Sequence, residues 1–139
     1  MSAWRRKAVS LFPELKADSE DWSSPYQLFF DLLSFTQDSH RLRNNQALYR
    51  AYGSAEWCLH QESKEFWNAA GLCFYESLFD EQDQWEDVIP WLSPYVVAEC
   101  SCLWETRLGA EKFEVLKQKL SSGKISNRNS FRSGEIEAL

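Results

Sequence analysis

Apolar residues along the chain recur at the three-and-four spacing of helices. The densest group, EFWNAAGLCFYESLFD at residues 65–80, predicts the helix around which the others pack. At about 100° per residue, Phe66, Ala70, Cys73 and Phe74 share one face, and Trp67, Gly71, Phe74 and Leu78 share an overlapping one. A helix apolar over most of its circumference must be covered from several sides. Ala69, Ala70 and Gly71 in its middle leave room for a neighbouring helix to approach closely.

The flanking segments carry their own start and stop signals. Residues 3–12 read as a short helix with Trp4, Ala8 and Leu11 inward and Arg5, Arg6 and Lys7 on a wet face; Pro13 ends it. After a polar linker at 17–23, Ser24 reads as an N-cap, Pro25 occupies the first helical position and Gln27 completes a capping box. That helix runs to about Leu42, with Tyr26, Phe29, Phe30 and Leu33 on its apolar face. Residues 45–61 form a third, striped by Leu48, Tyr52, Ala55 and Leu59, and Ser63 is the expected cap of the central helix. Only a few polar residues join those two, which makes them antiparallel neighbours. A second Ser-Pro-Tyr start at Ser93 opens a helix over 94–108, with Val96, Cys100, Leu103 and Trp104 inward and Gly109 as its left-handed C-cap. Residues 110–120 follow with Phe113, Leu116 and Leu120 inward, and residues 121–139 turn polar, the composition of a disordered tail. The expected architecture is all-α: one domain over residues 1–120, five to seven helices in antiparallel pairs around the buried helix 65–80.

Composition narrows the function. No run approaches the roughly 20 apolar residues of a membrane span, and MSAWRRKAVSLFPEL is a poor signal peptide, so a soluble cytoplasmic protein is expected. In that setting Cys58, Cys73, Cys100 and Cys102 are expected to be reduced, buried small hydrophobes. A formal charge of −6 argues against nucleic acid or an anionic membrane as the main partner, since both need clustered Lys and Arg. It suits a basic protein better.

Catalytic motifs are absent. There is no phosphate loop, no paired CxxC and no HExxH, and Cys100 and Cys102 point about 200° apart on a helix, so neither a metal nor a cofactor is expected. An enzyme would have to use His40 or His60 with Cys58, and both histidines sit in polar helix-end contexts that suit solvated or capping side chains. The chemistry-bearing stretch is instead the run from Glu76 to Asp87, six acids without a base. It reads either as a solvated loop held to the core by Trp85 and Trp91, or as a partner-binding surface. In the second case Asp80, Glu81, Asp83, Glu86 and Asp87 attract a basic partner and Trp85 anchors it.

The segments WRRKAVSLFPEL, SPYQLFFDLL, YGSAEWCLHQ, FWNAAGLCFYESLFD, VIPWLSPYVVAEC and LWETRLGAEKFEVLKQKL, spread over residues 4–120, together resemble a small bacterial family of all-helical domains. Families of this type look like immunity proteins, encoded beside polymorphic or contact-dependent toxins that they neutralise by direct binding. The resemblance implies an immunity or antitoxin protein and, as its partner, a basic toxin domain. A helical adaptor or regulatory subunit unrelated to toxins is the alternative, and a gene neighbourhood without a toxin would favour it.

Overall fold

Local capping chemistry sets out the helices of the computed structural model, which describes residues 2–122. Among them are seven α-helices and no strand: α1 (Ala3–Leu11), α2 (Pro25–Arg41), α3 (Asn45–Leu59), α4 (Lys64–Ala70), α5 (Trp85–Val88), α6 (Pro94–Leu108) and α7 (Ala110–Ser122). The fold is all-α. At the start of α2 the capping box forms: Gln27 Oε1 accepts from the Ser24 N–H at 2.9 Å, and Ser24 Oγ accepts from the Tyr26 N–H at 3.3 Å. Ser93 Oγ accepts from the Val96 N–H at 3.2 Å and opens α6 in the same manner. Ser63 differs from expectation. It precedes α4, but its side chain makes no capping bond.

The central helix is also shorter than its apolar pattern. Regular α-helix stops at Ala70 and a π-helical turn, Gly71–Tyr75, takes over, closed by the Glu76 N–H donating to the Gly71 carbonyl at 2.8 Å. A widened turn shifts the register of later side chains and frees a carbonyl. At its end the Tyr75 carbonyl accepts twice, from the Leu78 N–H at 3.1 Å and from the Trp104 indole N–H at 2.7 Å, and the second bond ties the turn to α6. Hydrogen-bonded turns, not helix, carry the chain on to Asp80. The segment nevertheless sits where the apolar pattern puts it, with α4 and the π turn contacting α2, α3 and α6 between them. Phe74, fully buried, meets Phe29 and Tyr52 edge-on at ring-centre distances of 6.3 and 5.9 Å.

α2 and α3 are joined by three residues and form a helical hairpin. Its corner is a Schellman motif: the Asn44 N–H donates to the Ser39 carbonyl at 2.9 Å and the Arg43 N–H to the His40 carbonyl at 3.2 Å. Arg43 occupies the left-handed position with φ of 54°, where glycine is usual. Gly109 holds the α6–α7 corner at φ 86° and ψ 164°, positive as expected but in the mirror of the extended region, not the left-handed helical one. Its carbonyl then accepts the Phe113 N–H at 2.9 Å and starts α7. α7 continues to Ser122, past the expected domain end at 120; the tail expectation for 123–139 lies outside the described residues. No helix among the described residues is long and apolar enough to cross a membrane.

Candidate functional site

The acidic run folds as a strap across the end of α2. Trp85 corrects its assignment as a surface anchor: it is 1% exposed, donates its indole N–H to the Phe79 carbonyl at 2.6 Å and packs edge-on against the Phe79 ring. Its position follows from α5, whose inward face carries Trp85 and Val88 and whose outward face carries Glu86 and Asp87. Gln84, also buried, donates to the Gln37 carbonyl at 3.2 Å and fixes the strap to α2. The acids themselves fall into two groups. Asp80 accepts from Arg107 at 2.8 Å, Glu81 from Arg41 at 2.7 Å and Glu86 from Lys119 at 2.9 Å, each in an exposed ion pair. Asp83 and Asp87 are exposed and belong to no ion pair among the described residues.

Beside the strap lies a cavity of about 310 Å³. The end of α2 supplies His40 and Arg41, the corner supplies Arg43, the first turns of α3 supply Asn45 and Leu48, and the strap supplies Asp87 and Trp91. The sequence suggested a solvated or capping role for His40. The structure buries it to 6% exposure and joins its Nε2 to the Tyr52 hydroxyl in a 2.7 Å hydrogen bond. Burial pushes the His40 pKa down to about 4, with the Asp87 carboxylate pulling the other way, so the ring is neutral at pH 7. Burial likewise raises the Tyr52 hydroxyl well above its ordinary value. Trp91 stacks on Tyr52, ring centres 5.7 Å apart and planes within 11°, and is the tryptophan of the strap that faces the cavity. The one signal that could have found this site is Tyr52 in the α3 stripe, exactly one hairpin away from His40; the distance in sequence from either to Trp91 hid the rest.

The cysteines do not join it. Cys58, Cys73 and Cys100 are buried, and desolvation raises all three thiols, Cys73 to about 11, which keeps them protonated and unreactive. Cys102 departs from expectation and is exposed. His60 stacks on Tyr95 with ring centres 4.0 Å apart and lies 3.4 Å from the buried Glu56 carboxylate, a packing arrangement at the end of α3. Among the described residues no three His, Cys, Asp or Glu side chains converge as metal ligands.

A family model described as Domain of unknown function (DUF7674) matches residues 5–105, and the chain belongs to that family. The matched span takes in the strap and every residue lining the cavity. No curated protein and no solved structure matches the chain.

Proposed function

We propose that this member of the DUF7674 family is a cytoplasmic binding protein without enzymatic activity, and that it acts as an immunity or antitoxin protein on a basic toxin domain. The observation that carries the reading is the construction of the strap. Trp85 and Gln84 fasten it to the core, while Asp83, Glu86 and Asp87 project outward. A fixed acidic surface loses little conformational freedom when it docks, so more of its attraction for a basic partner remains as affinity. Asp80 and Glu81 serve the same face differently: their ion pairs with Arg107 and Arg41 hold its N-terminal end to α6 and α2. The resemblance to immunity proteins supplies the class of partner, and the buried, protonated thiols and the absence of a cysteine beside His40 weigh against catalysis.

Co-expression with the product of the adjacent upstream gene tests the reading. The expected result is a product toxic alone, harmless together with this chain and co-purifying with it. Reversal of Asp83, Glu86 and Asp87 to Lys should then weaken the complex and flatten its salt dependence. A non-toxic neighbour that forms no complex would remove the immunity assignment; unchanged binding by the triple variant would move the interface off the strap.

A further inference from the structure

The cavity at the α2–α3 corner shares Asp87 with the acidic surface but adds features that the attraction of a basic partner does not use. Two opposite charges open on it without ion-pair partners among the described residues, Arg43 from the corner and Asp87 from the strap. Arg41, which also lines the cavity, is already engaged by Asp38 and Glu81. His40, held from behind the lining by the Tyr52 hydroxyl, contributes a neutral ring, and Leu48 and Trp91 give the cavity an apolar wall. Its volume, about 310 Å³, falls at the small end of the range for small-molecule sites. Arg43 also holds a backbone conformation that an L side chain adopts at a cost, at a corner where glycine would relax it. A non-glycine residue in this conformation at the rim of a cavity singles out its side chain as a candidate ligand contact.

The ligand chemistry follows by elimination. A simple anion such as phosphate would meet Asp87, a simple amine would meet Arg43, and a neutral apolar molecule would desolvate both charges without pairing either. A molecule carrying both charges a few bonds apart satisfies both. We propose that the cavity binds a free α-amino acid, its carboxylate on Arg43, its ammonium on Asp87 and its side chain against Leu48 and Trp91. The site rests on the cavity and its two charges and not on the partner reading, and its test uses no partner.

Isothermal titration of the whole chain with each standard L-amino acid is the first measurement. For the tightest binder, the deaminated acid and the decarboxylated amine follow. At least one amino acid is expected to bind, with both truncated analogues weaker by about tenfold or more, since each gives up one charge-assisted contact. Arg43→Gly and Asp87→Asn should each weaken binding by a similar factor. Both variants are expected to fold, and Arg43→Gly to melt no lower than the parent, so loss of binding would not reflect loss of structure. The assignment is overturned if no amino acid saturates the chain by ~10 mM. It is equally overturned if the deaminated acid or inorganic phosphate binds as well as the amino acid, which would make this an anion site, or if both variants bind like the parent.

Discussion

His40 shows how a side chain with no local signal becomes a determinant of stability. Its ordinary pKa is about 6.5 and its folded value about 4, so between those limits the unfolded chain takes up a proton that the folded chain refuses. Stability therefore falls as pH drops from about 6.5 to about 4 and the effect levels off below, a loss on the order of 3 kcal/mol at most. Urea melts across that window, run on the parent and on His40→Gln, isolate this contribution; parallel curves for the two proteins would refute it. Trp85 tests the opposite kind of inference. As a fully buried ring with its indole N–H bonded, it should lose about 3–5 kcal/mol of stability on replacement by Ala. A surface hot spot would instead leave the melting curve in place, and calorimetry distinguishes the two. Arg43→Gly carries the third residue-scale prediction, a gain of about 1 kcal/mol from relieving the left-handed backbone. Ser24 and Gln27 were legible in the sequence because a capping box is closed within four residues. His40 was not, because its burial is decided by Tyr52 on another helix and Asp87 and Trp91 on a distant strap.

Helices and corners divide along the same line. The apolar stripes located α2, α3 and α6 to within a residue or two, since each is ended by chemistry local to it. The π turn at Gly71–Tyr75 had no such marker: an extra residue in a turn is chosen by what its groups meet far along the chain, here the Trp104 indole on α6. Two glycines make this difference measurable. At Gly109, with φ 86° and ψ 164°, a side chain would meet no neighbour within 4 Å, yet the backbone itself is almost closed to L residues. Gly109→Ala should destabilise by about 1–3 kcal/mol through backbone strain alone. Gly71 has ordinary helical angles, φ −65° and ψ −54°, and an added Cβ would rest 3.6 Å from Leu103 Cδ1 and from the Trp67 ring. Gly71→Ala should therefore stabilise by about 0.5–1 kcal/mol. Paired denaturation curves check both signs; a destabilised Gly71→Ala would show that the π turn needs glycine for a reason other than space.

Across the whole molecule, charge is where composition and three-dimensional placement have to be separated. The chain carries a net −6, and the acids of residues 80–87 read in sequence as a continuous negative run. Folding breaks that run into acids spent on Arg41, Arg107 and Lys119 and acids left open at Asp83 and Asp87. Exposed pairs of this kind contribute roughly 0–1 kcal/mol each to stability, so their main effect is on the field the surface presents. For a basic partner that field governs encounter more than residence. Asp83→Lys should lower the association rate by about tenfold or more at ~0.05 M salt, where the Debye length exceeds 10 Å, and by far less at ~0.5 M, where it does not. The dissociation rate should change little, because Asp83 makes no fixed contact within the fold that docking could trade away. Reversal at Asp80 should behave differently: it also releases Arg107, so part of its cost persists at high salt. Stopped-flow association at the two ionic strengths, with both variants against the same toxin domain, measures the contrast. Identical salt profiles for Asp83→Lys and Asp80→Lys would mean that the ion pairs do not divide the acidic face into working and structural halves.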